Sequence, residues 1–227
     1  MKIGILTHYN VNNQGAQLQM YATNQKLKEM GHTPIILTYD KNFDFVDKDI
    51  KKRNIVTFAS IPYFIKEFLF KKGIKLTWFN FRKYIKNRKF RKVTFEYGDY
   101  AKTFTDCTIV GSDEVFSIDY GVNKMMYGYG VNTKKLISYA PSFGQTSIDI
   151  INKYNVGQLM ASGLNKFSAL SSRDENTQNI IRILTGIDTK IVCDPVLLYD
   201  FSNIHSKIKK IKKRYIIIYS YDRQKRD

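Results

Sequence analysis

Arg173 and Asp113 are the side chains whose type and position imply the most chemistry. Each follows a short apolar stretch of strand type, Arg173 in "FSALSSRD" (167–174) and Asp113 in "CTIVGSD" (107–113). A guanidinium at a strand end can grip a phosphate or carboxylate through two parallel hydrogen bonds, or it can pair structurally with an acid such as Asp174 or Asp194. Asp113 can move a proton or orient a sugar hydroxyl, with a helix cap as its plainer use. Beside it, Gly111 permits a sharp turn or a close backbone approach, and Ser112 offers a hydroxyl donor.

Three further segments fall at such positions. "HYNVNNQGA" (8–16) lacks the G-x-G-x-x-G spacing, so no dinucleotide fingerprint is present, and Asp40, although it stands where a ribose-binding acid would, lacks the glycines that go with that role. Its loop feeds a helix start whose free N–H groups suit an anion, and Asn12, Asn13 and Gln14 add amides able to donate to phosphate or sugar oxygens. The same amides could instead cap the helix. His8 ends the first strand and suits hydrogen bonding to loop or ligand. In "YAPSFG" (139–144), Pro141 fixes the strand exit while Ser142 and Gly144 present hydroxyl and backbone groups; "CDP" (193–195) supplies Asp194.

Other chemistries lack their signatures. His8, His32 and His205 stand apart, with no metal-ligand spacing, and neither a G-x-S-x-G elbow nor a phosphate-binding Walker loop occurs. Cys107 and Cys193 each sit in an apolar run, where a buried thiol is expected. No metal and no cofactor are therefore expected.

The elements that must position these residues alternate. "IGILT" (3–7) reads as a buried strand, 15–30 as a helix with Leu18, Tyr21, Ala22, Gln25 and Leu27 at helical spacing, Gly31 as its stop, and "TPIILTYD" (33–40) as a second strand. Residues 58–92 are helical by pattern, with Pro62 in the first turn. Strands at 107–113 and 135–142, a helix over 147–164, a strand at 167–174, a helix over 175–186 and a strand at 190–198 follow. This alternation predicts an α/β fold, a doubly wound and mostly parallel Rossmann-like sheet, whose ligands bind at the carboxyl ends of the strands. Residues 1–200 make one such lobe; 201–227 read as a basic linker and "RYIIIYSYD", a strand that would open a second lobe.

With 43% hydrophobic and 25% charged residues the 227-residue chain has the composition of a folded protein. No apolar run reaches the ~20 residues of a membrane span, and no signal pattern opens the chain, so a cytoplasmic location is expected. The net charge of +17 would ordinarily suggest nucleic acid, but lysines far outnumber arginines and accompany abundant Ile, Asn and Tyr. What stands out is clustering, in "FRKYIKNRKFRK" (81–92) and "KIKKIKKR" (207–214), which suits a solvated face or an anionic membrane or glycan; nucleic acid is not expected.

The ordered motifs resemble the polysaccharide pyruvyl transferase family. They are "GILT" with an Asn-rich loop and an "LQ-x-YA" helix (Asn13, Gly15, Leu18, Gln19, Tyr21, Ala22), the GSD segment (Gly111 to Asp113), "YA-x-SFG" (Tyr139 to Gly144), S-x-R-[ED] (Ser171 to Asp174) and "DP-x-LL" (Asp194 to Leu198). Two departures are visible: Gln14 where the family usually has an aromatic residue, and "GSDEVF" where it usually has "GSDQ-x-W". The resemblance implies two Rossmann-like lobes of the glycosyltransferase-B kind with the cleft between them. It implies transfer of pyruvyl from phosphoenolpyruvate, the donor substrate, to two hydroxyls of a sugar or lipid-linked glycan at the inner face of a bacterial membrane, giving a ketal and phosphate. The candidate catalytic residues are then Asp113 and Arg173, and the candidate substrate contacts His8, Asn12, Asn13, Gly15, Gly111, Ser112, Ser142, Phe143, Gly144 and Asp194. A non-catalytic glycan-binding lobe, or a nucleotide-sugar glycosyltransferase, would use the same architecture.

Overall fold

The computed structural model describes residues 1–45, 74–203 and 214–216. The helical pattern expected at 58–73, His205, the basic run at 207–213 and the strand pattern from 217 onward lie outside the described residues.

Strand β1 (Lys2–Leu6) lies at the centre of a five-stranded sheet, flanked by β2 (Thr33–Thr38) and β4 (Cys107–Val110), with β3 (Tyr97–Asp99) and β5 (Leu136–Ser138) at its edges. All four pairings are parallel, and the order β3-β2-β1-β4-β5 places the reversal of winding between β1 and β4. The fold is therefore the doubly wound α/β sheet that the alternation predicts. Beyond β5, the chain at 168–171 runs alongside it through one parallel bridge, Ile137 with Ala169, and leads into the short parallel pair β6 (Ser171–Ser172) and β7 (Lys190–Ile191).

Burial on both faces follows from the pleat, because successive side chains of a strand point to opposite sides. Ile3, Ile5, Ile36 and Ile109 turn to one core with Met20 and Leu27 of helix α1 (Gln14–Glu29). Leu6, Leu37 and Val110 turn to the other, where they meet Ile151, Met160, Leu164, Ile180 and Ile181 from α3 (Ile148–Lys153), α4 (Gly157–Leu164) and α5 (Glu175–Thr185). Each fully buried side chain of this size contributes about 1.5–3 kcal/mol. Helix α2 (Ile74–Thr94) meets the first of these cores near its end, where Phe90 packs against Phe95 in the chain just past the helix.

Several expectations are corrected. The helix expected over 147–164 is two helices, since Asn155 adopts φ +52° and ends the first. The connection from β4 to β5, where no helix was expected, carries a 3-10 turn at Lys124–Tyr127, and the buried Phe116 and Ile118 fill that volume. Edge strand β3 has no counterpart in the sequence reading, because three residues are too few to show a period. Leu18 is exposed, while Gln17 and Asn24 are buried on α1, so this helix turns amides inward. Cys107 is buried as expected, but Cys193 is exposed, because β7 ends at Ile191 and the chain leaves the sheet there.

Candidate functional site

The carboxyl ends of β1, β2 and β4 open into a cleft of about 950 Å³, lined among others by His8, Asn12, Asn13, Tyr39, Lys41, Arg91, Asp113 and Glu114. It gathers four of the residues expected from sequence: His8, Asn12, Asn13 and Asp113. Gly15, Gly111, Ser112, Ser142, Phe143, Gly144, Arg173 and Asp194 do not line it.

Helix α1 starts from this loop. Asn13 is its N-cap, accepting from the Gly15 N–H at 2.8 Å, so the capping role holds for Asn13 and fixes Gly15. Asn12 accepts through its side-chain oxygen from Asn87 Nδ2 at 2.9 Å. Both side-chain oxygens are thus occupied, and both residues line the cleft. Gln17 reaches back from the helix to donate to the carbonyls of Tyr9 and Val11 and holds the loop, which explains why a glutamine is buried there.

The hydrogen bonds decide the state of His8. Its Nε2 lies 3.2 Å from the Glu114 carbonyl, which can only accept, so Nε2 carries the proton. Nδ1 then accepts from the Tyr39 hydroxyl at 3.0 Å. Burial, reinforced by Lys41, lowers the His8 pKa against the opposing pull of Asp113, so the ring is neutral at pH 7. Burial likewise raises Tyr39, which keeps the proton that it donates. With both nitrogens engaged, His8 orients the loop and is not a free base.

Asp113 and Glu114 follow β4 directly. Gly111 has φ +116°, and a Cβ there would sit 2.3 Å from the Tyr139 carbonyl oxygen, so only glycine makes this turn. The turn carries Asp113, itself at φ +90°, into the cleft, where its carboxylate accepts from the Glu114 N–H at 2.9 Å. Glu114 lies across Gly144 and has its pKa raised, first by burial and then by Asp113, with Arg173 opposing. A carboxyl whose pKa is raised beside a second carboxylate is the arrangement that acid–base work between two carboxyls requires. Glu114 was not among the expected site residues; its signal in the sequence is the glutamate that departs from "GSDQ-x-W".

A second group lies beside this pair at the ends of β4, β5 and β6. Arg173 pairs with Asp194 at 3.6 Å, the structural partnership that the sequence left open, and both remain partly exposed. Asp194 also accepts from Gln19 and, at 3.4 Å, from the Ser112 hydroxyl, tying α1 to the strand ends. Ser112 is buried and bonds the Ala140 carbonyl as well. Ser142 donates to Asp174 at 2.6 Å and accepts from the Gly144 N–H at 2.9 Å. Asp174 caps α5 through Thr177 at 2.8 Å. Burial acts against its ionisation, yet the bonds from Ser142 and Thr177, with Arg173, outweigh that and lower its pKa.

The Phe143 ring is a correction. It is fully buried, 5.4 Å from the ring of Phe116, because an alternating strand exit that turns Ser142 toward Asp174 must turn its neighbour into the core. Tyr139 is half-buried, its hydroxyl 3.9 Å from Cys193 Sγ, and burial pushes its pKa up to about 12. Among the described residues no group of three His, Cys, Asp or Glu side chains converges to hold a metal, and no helix is long and apolar enough to cross a membrane.

Comparison with known proteins adds one match. The model of the family described as polysaccharide pyruvyl transferase matches residues 13–227, while no curated protein and no solved structure matches the chain.

Proposed function

The chain belongs to the polysaccharide pyruvyl transferase family, and on that premise we propose that it moves the pyruvyl group of phosphoenolpyruvate onto two hydroxyls of a sugar in a bacterial surface glycan or its lipid-linked precursor. The observation that carries this reading is the Asp113–Glu114 pair, with Arg173 in electrostatic reach, at the strand ends. The reaction needs a proton delivered to the enol CH2 carbon, a base for the attacking hydroxyls and cationic contacts for phosphate and carboxylate.

In this reading Glu114 protonates the methylene carbon, and positive charge develops on the carbon bearing phosphate. The first sugar hydroxyl adds there and gives its proton to Asp113. The bond to phosphate then breaks, the second hydroxyl adds to the same carbon, and its proton leaves with the phosphate. One ketal and one phosphate result. Arg173 grips the donor's phosphate or carboxylate and exchanges part of its pairing with Asp194 for that contact. His8, neutral and doubly bonded, keeps the β1 loop in place beside the acceptor hydroxyls.

The reading puts the enzyme in the cytoplasm, working at the inner membrane face. Helix α2 supports this: it carries Lys75, Arg82, Lys83, Lys86, Arg88, Lys89, Arg91 and Lys92 without one acid, and Trp78 and Phe79 are exposed at 59% and 61%. Such a surface is attracted to anionic headgroups and can seat aromatic rings among them. The deciding assay incubates the full chain with phosphoenolpyruvate and a panel of lipid-linked and free glycans and follows phosphate release. No acceptor-dependent release across the panel would refute the activity.

A further inference from the structure

Arg91 lies at the last turn of α2 and is buried, at 8% exposure, yet among the described residues no carboxylate pairs with it. A buried guanidinium normally has an anionic partner, since its desolvation is otherwise uncompensated. Here Nη1 donates to the Val11 carbonyl at 3.1 Å and Nη2 to Asn10 Oδ1 at 3.2 Å. Those two bonds lock the guanidinium in one orientation and leave three of its five N–H groups without a partner among the described residues.

Arg91 borders open space on two sides. It lines the main cleft and also an adjoining hollow of about 500 Å³, whose walls include Arg88, Lys92, Tyr84 and Tyr97 and, among the described residues, no acid. The two spaces share Tyr9, Asn10, Tyr84 and Arg91, so one ligand can span both. The main cleft is lined by Asp40, Asp113, Glu114 and Asp119, and these suit hydroxyls. The joint space thus holds both signs of charge, with Lys41 also lining the main cleft, while the described lining of the smaller hollow carries three cations and tyrosine rings and no acid.

We propose that this hollow is a subsite for an anionic substituent, phosphoryl or carboxylate, borne by the sugar whose hydroxyls enter the main cleft. As a statement about the acceptor it rests on the transferase reading above; the recognition of charge does not. Arg91 supplies the oriented donors, Arg88 and Lys92 supply screened attraction, and the donor substrate is held elsewhere, at Arg173.

The test is saturation-transfer NMR and calorimetry on the full chain with galactose 1-phosphate, galacturonic acid, neutral galactose and phosphoenolpyruvate. The anionic sugars are expected to bind about tenfold or more tighter than galactose, the effect of one charged hydrogen bond. Which of the two binds tighter tells phosphoryl from carboxylate. Arg91→Gln should abolish the preference while phosphoenolpyruvate affinity stays unchanged. Because Arg91 also holds the loop, Arg88→Gln with Lys92→Gln, both exposed, is made in parallel and should reduce the preference about threefold or more. Equal binding of charged and neutral sugars, absence of any sugar binding, survival of the preference in both variants, or parallel loss of phosphoenolpyruvate would each overturn the subsite. Phosphate release is measured on the same samples: an anion preference without release sinks the transferase reading alone, and release without the preference sinks the subsite alone.

Discussion

Asp174 couples the stability of the lobe to the geometry of its site, and replacing it tests that coupling. Asp174→Ala removes the cap on α5, which is worth about 1 kcal/mol. It also strips the buried Ser142 hydroxyl of its charged partner at 2.6 Å, a bond in the class worth about 1.5–3 kcal/mol. The sum is about 3 kcal/mol, a large part of the roughly 5–15 kcal/mol that holds a domain together. Asp174→Asn keeps a good cap but loses the charge, so it should cost about half as much. Urea denaturation at pH 7, followed by circular dichroism, gives both values from midpoint and slope. The sign with pH is fixed by the lowered pKa of Asp174 in the folded state. Its contribution is complete above the unfolded carboxyl value of ~3.9 and disappears as pH falls through the lower folded value, so the gap between wild type and Asp174→Asn should be widest at pH 7 and close in stronger acid. A loss below about 1 kcal/mol for Asp174→Ala, no more than its cap alone, or a gap that does not change with pH, would refute the reasoning.

Three further outcomes are expected. Glu114→Gln should lower turnover by about 100-fold or more, the usual contribution of a positioned acid, with phosphoenolpyruvate affinity retained by calorimetry; unchanged turnover would remove Glu114 from proton transfer. Arg173→Ala should weaken phosphoenolpyruvate binding about 10- to 100-fold while the circular dichroism spectrum is kept, and Arg173→Lys should restore only part of it, lacking the planar fork. Tyr39→Phe takes the donor from His8 Nδ1 and should cost about 1 kcal/mol in denaturant titration; no loss would mean that this bond does not hold the β1 loop.

How far the site was legible depends on what each residue's position derives from. The placement of His8, Asn12, Asn13 and Asp113 on one cleft follows from their sitting just after parallel strands, and strand ends are visible as the end of an apolar run. Arg173, Ser142 and Asp194 were found the same way, but the choice of Asp194 over Asp174 as the ion-pair partner of Arg173 stayed open, because Asp194 lies 21 residues beyond Arg173 in the chain and meets it only when β6 and β7 lie side by side. Phe143 was misassigned for the converse reason: a motif groups neighbours, while a strand exit sends them to opposite sides. Arg91 showed only as one of many basic residues on a helix, since burial cannot be read from a run of charge.

By itself the sequence determined the fold class and the alternation of its main elements. Apolar runs of strand length alternating with helical periods admit little besides a parallel sheet wound on both faces, because each such strand must be buried on two sides. The motif order determined the family. Only the tertiary structure decided which polar groups are free to act. Hydrogen bonds at both ring nitrogens commit His8 to holding the β1 loop, partial desolvation and Asp113 raise the pKa of Glu114, and the packing of α2 against the β1 loop buries a guanidinium with no carboxylate partner among the described residues. Each of these depends on distances between segments far apart in the chain, and local composition carries no record of them.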